Sequence, residues 1–419
     1  MRTKYFVSSI DATVDALKSA GLYPVPHVIF GSSVDPEIIV DGRKVLLFSS
    51  ANYLGLGNDP RICYVISEAL KKYGLAASAS RLISGTQDPH VELEQEIAKF
   101  QNEGEAIIYF AVTLANAGSI AGIMNPPLRL YAQALGFGKD IKKEHSVILA
   151  DQFSHPSVMD ACILAQPDEF VLYKHCNVTH LEDKLKKYRN SRKMIVTDGL
   201  FSGAGDLAPL KEIVALAKEY EAIVFCDDAH GTGVLGENGR GTWELLGVEN
   251  EVDIKVGSLS KAFGGGLGGF VAGSTKFIEF LRVSGRHYIF GGSIPPAVAK
   301  GITEALRLAQ NEKWRRERVL KSANFLRLRL NENDFDTFGS KAQIVPILIG
   351  DERKAVIVAE MLNEFGIFAP SFRYPAVPRG KACIRVNLMA THTDEHLENF
   401  LKIFCRVAEK NKVLQGLAK

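Results

Sequence analysis

The sequence has few features of a secreted, metal-binding or nucleic-acid-binding protein. Its 419 residues include only six cysteines and no CxxC pair, so neither a disulfide framework nor a cysteine-based zinc site is indicated. The net charge of +2 provides no attraction toward nucleic acid. The N-terminus also lacks an unbroken apolar stretch of signal-peptide length. These absences predict a cytoplasmic protein with reduced thiols, no bound metal and no nucleic-acid partner.

Residues 106–128 carry no charge and are long enough to suggest a membrane span. Polar and small residues interrupt this stretch, however, and it ends near the pair Pro126-Pro127. Its first five residues favour a strand, whereas the rest has the small-residue texture of a packed helix. We therefore predict a buried strand, a tight turn and a helix, and no transmembrane segment.

Seven short apolar runs are separated by amphipathic helical segments. The runs are 106–110, 146–150, 170–173, 194–197, 222–226, 254–257 and 269–272. This alternation predicts an α/β fold with a mainly parallel central sheet sandwiched by helices.

The pattern changes after residue 296. A long charged helix is predicted from 297 to about 330, followed by strands near 344–349 and 382–386 and a closing helix, which together indicate a smaller α+β domain. The predicted organisation is an N-terminal arm over 1–57, a large domain over 58–294 and a small C-terminal domain over 295–419.

The predicted strands deliver chemically useful groups at their carboxyl ends, where parallel sheets bind ligands. Asp227 and His230 follow one strand, and Lys261 follows the next, 34 residues after Asp227. An amine that forms a Schiff base and an anion that keeps a pyridine nitrogen protonated are what pyridoxal phosphate (PLP) requires. His230 could reach the ring hydroxyl. The alternative, a capping aspartate and a surface lysine, explains each residue singly but not their ordered combination.

Several further motifs accompany this pair. They are Ser50-Ala-Asn-Tyr-Leu-Gly-Leu56, Ser80-Arg-Leu-Ile-Ser-Gly-Thr86, His90-Val-Glu-Leu-Glu94, Asp151-Gln-Phe-Ser-His155, Asp198-Gly-Leu-Phe-Ser202, Ser258-Leu-Ser-Lys261 and Arg385-Val-Asn-Leu-Met-Ala-Thr-His392. With them the chain resembles the α-oxoamine synthases, PLP-dependent transferases of fold type I, over roughly residues 45–405.

The resemblance implies a role for each site residue. Lys261 would hold the cofactor as an internal aldimine, Asp227 would pair with the pyridine nitrogen, and His230 with the ring oxygen. His155 would stack on the ring, Ser202 would lie by the ring oxygen or phosphate, and Ser258 would donate to the phosphate. Thr113 and Leu114 would bind the phosphate at the helix start, and Arg385 would clamp the amino-acid carboxylate.

The implied reaction condenses an amino acid with an acyl-CoA thioester, with loss of CoA and carbon dioxide, to give an α-amino ketone. Lys261 would serve as covalent anchor and as base. Segments such as 21–24, 174–177 and 388–393 are more similar to serine palmitoyltransferase-like and other long-chain acyl members than to 8-amino-7-oxononanoate synthase. That activity, 2-amino-3-ketobutyrate CoA ligase activity and a class I/II aminotransferase stay open as alternatives. The resemblance also implies a homodimer with the active site at the subunit interface.

Some positions depart from the family pattern or suggest other classes. Gly291-Gly292 replaces the serine–threonine pair through which a partner subunit usually contacts the phosphate, and the long segment 125–145 could remodel access for the acyl chain. The glycines of 264–269 fit a dinucleotide fingerprint, but they precede a strand instead of linking a strand to a helix. An aminotransferase would usually carry an arginine where Gly269 stands, and a non-catalytic subunit would lack Lys261.

Overall fold

A computed structural model describes residues 2–125, 135–136 and 144–411. The described residues form two compact units. The larger unit comprises the described residues within Ala51–Ser202 and Asp206–Leu320, and the smaller unit comprises the others. The N-terminal 50 residues thus group with the C-terminal part of the chain, while the division predicted at residues 57 and 294 stays a prediction.

The secondary structure alternates over most of the chain. The strands are β1 (Ile29–Phe30), β2 (Glu37–Val40), β3 (Arg43–Leu47), β4 (Glu105–Tyr109), β5 (Ser146–Asp151), β6 (Glu169–Tyr173), β7 (Arg192–Asp198), β8 (Ala222–Asp227), β9 (Ile254–Ser258), β10 (Gly269–Gly273), β11 (Ile344–Gly350), β12 (Ile367–Phe368), β13 (Ser371–Phe372) and β14 (Ala382–Asn387). The α-helices are α1 (Arg2–Ser19), α2 (Pro60–Tyr73), α3 (Asp88–Gln101), α4 (Val112–Met124), α5 (Pro156–Leu164), α6 (Val178–Lys187), α7 (Leu210–Glu219), α8 (Thr242–Leu245), α9 (Thr275–Ser284), α10 (Arg286–Ile289), α11 (Pro296–Asn311), α12 (Trp314–Glu332), α13 (Glu352–Glu364) and α14 (Asp394–Lys410). A 3-10 turn covers Glu249–Glu251.

The larger unit is built on a seven-stranded sheet with the order β4-β10-β9-β8-β7-β5-β6. Strands β6, β5, β7, β8 and β9 run parallel, whereas β10 is antiparallel to both of its neighbours. All seven strands predicted from the apolar runs are present, with ends that shift by one or two residues. The mainly parallel α/β sheet is thereby confirmed.

Alternate residues of the central strands are buried on opposite faces of this sheet. Ile148, Val196 and Phe225 belong to one core cluster, and Val147 and Ile195 belong to another. The helices α4 and α5 contribute to the first cluster, while α6 and α7 contribute to the second. Burial on both faces explains why these strands are continuously apolar instead of alternating, as is typical of parallel sheets.

The prediction of one helix from 297 to about 330 is wrong, because α11 ends at Asn311 and α12 begins at Trp314. No proline or glycine marks this break. It coincides with two side-chain contacts: Arg316 Nη1, in the first turn of α12, donates to the Ala309 carbonyl at 2.9 Å, and Glu312 accepts from the sequence-distant Arg61 at 2.6 Å. A guanidinium that binds a carbonyl of the last turn satisfies one acceptor that every helix end leaves open.

The smaller unit contains two small sheets, with the orders β1-β2-β3-β12 and β11-β14-β13. The strands predicted near 344–349 and 382–386 are β11 and β14, which pair antiparallel, and the closing helix is α14. Arg385 lies at the middle of β14.

Among the helices of the described residues, none combines the length and hydropathy that a membrane span requires. The uncharged stretch after residue 106 forms β4 and α4 as predicted. Most of the segment 125–145, which was expected to affect acyl-chain access, lies outside the described residues.

Candidate active site

Two carboxylates meet at the carboxyl edge of the large sheet because Asp198 and Asp227 are register partners at the ends of β7 and β8. Asp227 is buried, and its Oδ1 accepts from the Ala229 backbone N–H at 3.0 Å. Its Oδ2 accepts from the Asn116 side chain at 2.7 Å. An anion held in this way is fixed in orientation, as a partner for a pyridine nitrogen must be.

The neighbouring Asp198 is shifted toward its neutral form. Burial raises the pKa of the Asp198 carboxyl well above its usual value, and the nearby charge of Asp227 raises it further. Two backbone hydrogen-bond contacts from the His155 N–H, at 3.1 and 3.2 Å, act in the opposite direction. Negative charge at this edge is therefore favoured on one carboxylate instead of two.

Lys261 follows β9 and points its amine at an imidazole. Its Nζ lies 3.0 Å from His230 Nε2, and His230 Nδ1 lies 2.7 Å from the hydroxyl of the fully buried Tyr53. While the amine is charged it only donates, so Nε2 accepts and the Nδ1–H donates to Tyr53. Tyr53 thus orients the imidazole that contacts the lysine, a role that the sequence analysis missed.

His155 lies at the N-cap of α5, immediately after the loop that follows β5. Its Nδ1 is 2.7 Å from Ser157 Oγ, and Asn116 Nδ2 donates to the same hydroxyl at 3.0 Å. The backbone of His155 contacts Asp198, as described above. The side chains of His155 and Asp227 are therefore connected through Asn116 and Ser157.

Helix α4 presents an uncapped N-terminus. Its N-cap residue, Ala111, makes no capping hydrogen bond with its side chain, and Thr113 in the first turn is exposed. Leu114 in the same turn is half-buried. The N–H groups of a first helical turn favour an anion such as phosphate. In this turn the Leu114 N–H also donates to the Ala111 carbonyl at 3.1 Å. Gly269 packs closely here, since a Cβ at that position would lie 2.6 Å from the Val112 nitrogen.

The remaining predicted residues are less closely connected to these groups. Ser258 is buried at the end of β9 with its Oγ 3.0 Å from Ser260 Oγ, and Ser202 is half-buried after β7. Arg385 belongs to the smaller unit, where its guanidinium carbon lies 4.6 Å from the Phe372 ring centroid and its buried Nε has no hydrogen-bond partner. An unbonded N–H of this kind suits a guanidinium that receives an anionic ligand.

Together the residues of the larger unit fit PLP. Lys261 supplies the amine, and Asp227 supplies a buried carboxylate on β8, which β9 and β10 separate from β4, the strand before α4. Asn116 of α4 reaches that carboxylate. The donor set therefore matches an aldehyde, a pyridine nitrogen and a phosphate.

A second cluster lies behind the loop that leads to His155. His175 Nδ1 is 3.0 Å from Asp151 Oδ1, and its Nε2 is 2.8 Å from Asp206 Oδ2. Burial alone would lower the pKa of His175, but hydrogen bonds to the two carboxylates outweigh burial and raise this pKa to about 12. Asp151, His175 and Cys176 place potential metal ligands within 4.8 Å of one another, yet both ring nitrogens already serve the carboxylates. We interpret the cluster as an ion pair that braces the loop.

Comparison with known proteins connects this geometry to a family. The model for aminotransferase class I and II matches residues 43–404. The 8-amino-7-oxononanoate synthase of Lysinibacillus sphaericus is 39% identical over 371 residues, which cover 88% of this chain and 90% of that protein. The serine palmitoyltransferase of Sphingomonas wittichii superposes with a TM-score of 0.87 at 30% identity and covers 97% of this chain and 98% of that one. The chain belongs to the α-oxoamine synthases.

The 8-amino-7-oxononanoate synthase of Francisella tularensis is also similar, with a TM-score of 0.72 at 26% identity over 88% of this chain and 99% of that one. The 419-residue chain is accordingly an enzyme of fold type I that uses PLP to transfer an acyl group to an amino acid. The fold class, cofactor and reaction type predicted from the sequence are confirmed. The roles of individual residues stay predictions.

Proposed function

We propose that this synthase condenses a long-chain acyl-CoA with serine or another small amino acid and releases CoA and carbon dioxide. The main support for the proposed catalytic residues is the contact of 3.0 Å between Lys261 Nζ and His230 Nε2, at the same sheet edge as Asp227. The similarity to serine palmitoyltransferases over nearly the whole chain supports the choice of substrates.

Each side chain has a defined task in this reaction. When bound, PLP supplies an electron-accepting ring. Asp227 would supply the negative charge that pairs with the pyridine nitrogen, and the Lys261 amine, in its neutral form, would take the α-proton of the amino acid. His230 contacts the same amine and orients it. Lys261 therefore acts as both anchor and base.

The other predicted residues complete the site in this proposal. His155 stacks on the cofactor ring, and Arg385 binds the carboxylate of the amino acid. The remaining cofactor contacts are Ser202 and Ser258 near the ring oxygen or phosphate, and Thr113 and Leu114 at the start of α4.

A cavity of about 560 Å³ beside α4 is large enough for an acyl chain, and this supports the proposed acyl-CoA substrate. It starts at Leu114, next to the helix N-terminus, and continues along Ala117 and Ala121. Leu164 and Phe290 form apolar walls, while Arg286 adds a cation. Because Ala117 leaves room on this helix face, we expect Ala117→Leu to shift the preferred acyl-CoA toward shorter chains, whereas Ala12→Leu on the exposed side of α1 leaves the preference unchanged.

The identity to 8-amino-7-oxononanoate synthases favours a second candidate. The compound 8-amino-7-oxononanoate has a ketone at carbon 7 and an amine at carbon 8. A condensation with decarboxylation would form it from a seven-carbon dicarboxylic acyl group and alanine. Such an acyl group carries a terminal carboxylate, and Arg286 in the cavity described above provides a cation that could pair with it. The two candidates therefore differ in the charge at the far end of the acyl chain.

The deciding experiment incubates the PLP-loaded enzyme with pairs of amino acids and acyl-CoAs and measures free thiol and product mass. Thiol release with serine and long saturated acyl-CoA supports the first candidate. Release confined to alanine and the seven-carbon dicarboxylic thioester supports the second. Amino-group transfer to a keto acid with no thiol release would contradict both.

A homodimer and a reducing, cytoplasmic location complete the proposal. Among the described residues of the larger unit, three apolar side chains are more than three-quarters exposed in the isolated chain: Leu75, Ile83 and Phe290. Their exposure supports an interface with a second subunit. All six cysteines are unpaired, which supports a reducing compartment. Light scattering of the purified enzyme tests the dimer, and a monomeric mass at micromolar concentration would contradict it.

A further inference from the structure

Asp227 and His155 are joined by a chain of hydrogen bonds that is buried at Asn116 and part-buried at His155. Asn116 Nδ2 lies 2.7 Å from Asp227 Oδ2 and 3.0 Å from Ser157 Oγ, and Ser157 Oγ lies 2.7 Å from His155 Nδ1. Asn116, Ser157 and Asp227 are all at least nine-tenths buried. Water therefore does not compete for the two bonds that Asn116 donates. His155 itself is exposed, and its bond to Ser157 is part-buried.

The chemistry of the groups sets the direction of every bond. An ionised carboxylate only accepts, so the amide atom facing Asp227 is the Nδ2 of Asn116 and not its oxygen. The second N–H of the same amide points to Ser157 Oγ, which accepts it. The hydroxyl proton of Ser157 is then directed to His155 Nδ1. The carbonyl oxygen of Asn116 is left buried without a partner, which is the cost of this orientation.

The backbone fixes the same nitrogen independently. His155 is the N-cap of α5, and its Nδ1 also accepts from the Ser157 backbone N–H at 3.2 Å. Because a backbone N–H is only a donor, Nδ1 carries no proton and the imidazole proton lies on Nε2. A charged imidazolium would lose this capping bond and would place a cation at the positive end of the helix dipole.

We propose that Asn116 and Ser157 are positioning residues that hold Asp227 as an oriented anion and His155 as a neutral imidazole protonated on Nε2. The catalytic meaning of this inference rests on the proposed function, in which Asp227 would pair with the pyridine nitrogen and His155 would stack on the cofactor ring. A neutral imidazole would do so without adding a second positive charge beside a protonated ring nitrogen. The same set of hydrogen bonds thereby fixes the orientation of Asp227 and the tautomer of His155.

The first test uses the enzyme without cofactor and therefore does not depend on turnover. Long-range proton–nitrogen NMR of histidine-labelled protein reports the tautomer, and His155→Gln identifies the His155 signals. We expect an unprotonated Nδ1 and a protonated Nε2. A proton on Nδ1 would overturn the proposal.

The second test compares variants in the PLP-loaded enzyme. Ser157→Ala should keep the tautomer, because the backbone N–H of residue 157 still donates to His155 Nδ1, but it should reduce kcat about tenfold with little change in KM, because the hydroxyl that links Asn116 to His155 is lost. Ser157→Thr, which keeps the hydroxyl, should restore kcat. Asn116→Leu should weaken PLP affinity about tenfold, because Asp227 loses a charge-assisted hydrogen bond. If Ser157→Ala retained the wild-type kcat and Asn116→Leu the wild-type PLP affinity, the proposed roles would be wrong.

Ser274→Ala is the matched control, since Ser274 caps α9 through a bond to the Phe277 N–H and lies outside the site. It should lower thermal stability as a lost cap does and leave the His155 signals and kcat unchanged. A failure of the proposed substrates would appear as absence of thiol release in the wild-type enzyme, with the tautomer result unaffected.

Discussion

The amine of Lys261 and the imidazole of His230 lie 3.0 Å apart, and the Tyr53 hydroxyl holds the opposite ring nitrogen at 2.7 Å. The three groups come from different parts of the chain within the larger unit. Because Tyr53 is fully buried, its hydroxyl has a fixed partner and the imidazole has a fixed plane. The orientation of the amine that we propose as catalytic therefore depends on Tyr53 through His230.

We expect Tyr53→Phe to reduce kcat about tenfold, since removal of one hydroxyl leaves a buried imidazole nitrogen without its partner. The measurement is steady-state thiol release, together with the pH dependence of kcat. Tyr64→Phe, at a site that is 67% exposed, serves as the control and should behave as wild type. Equal kcat and pH profiles for Tyr53→Phe and wild type would show that Tyr53 does not orient His230.

The His175 cluster predicts a pH dependence of stability. The unfolded chain titrates near the ordinary histidine pKa of about 6.5, whereas the pKa is about 12 in the folded protein. The stabilisation is therefore complete below about pH 6.5 and is lost progressively as pH rises toward 12. We expect His175→Gln to be less stable than wild type by about 1–3 kcal/mol near neutral pH, and this difference to shrink between pH 7 and 9.

Thermal unfolding of both proteins across that range provides the measurement. His27→Gln is the control, because His27 also contacts an aspartate, Asp41, but lies at the surface, where such pairs contribute little. A chelator should leave the melting temperature unchanged if His175 is an ion-pair residue. A pH-independent difference between His175→Gln and wild type would contradict the assignment.

Arg81 and Glu94 form a buried bidentate ion pair, with contacts of 2.8 and 3.0 Å. We expect Arg81→Met to destabilise the protein by about 3–5 kcal/mol, because it leaves the Glu94 carboxylate buried without a counter-charge. The double variant Arg81→Met/Glu94→Gln should lose less than the sum of the single changes.

Denaturant midpoints of the four proteins give the coupling between Arg81 and Glu94. Lys71→Met removes an exposed ion pair with Glu68 and should cost less than about 1 kcal/mol. If the losses in unfolding free energy of the two single variants added up in the double variant, Arg81 and Glu94 would stabilise the protein independently of each other.

The sequence predicts the large sheet well because its strands are buried on both faces. A continuous apolar run such as 146–150 has few alternatives to a central parallel strand when helical segments flank it. The break between α11 and α12 could not be foreseen in this way. Arg61, which contacts Glu312 at the break, lies far away in the sequence, and Arg316 turns back to the Ala309 carbonyl. Local propensity carries no information about such contacts.

The candidate site was predictable where reactive side chains follow strands. Asp227, His230 and Lys261 are of this kind, and their order along the chain restricts the cofactor. Asn116 and Ser157 were missed because amides and hydroxyls are common at helix starts and in packed helices. A usable indication did exist: Asn116 is an amide within an otherwise apolar, uncharged stretch, and a buried amide requires partners.

The account depends most directly on Lys261 as the residue that holds PLP. Borohydride reduction of the yellow enzyme followed by peptide mass mapping tests this, with Lys261→Ala as the comparison and Lys276→Ala as the surface-lysine control. We predict a pyridoxyl group on the peptide that contains Lys261, no trapped cofactor and no turnover in Lys261→Ala, and wild-type labelling in Lys276→Ala. Trapped cofactor on another lysine, or normal turnover in Lys261→Ala, would contradict the account.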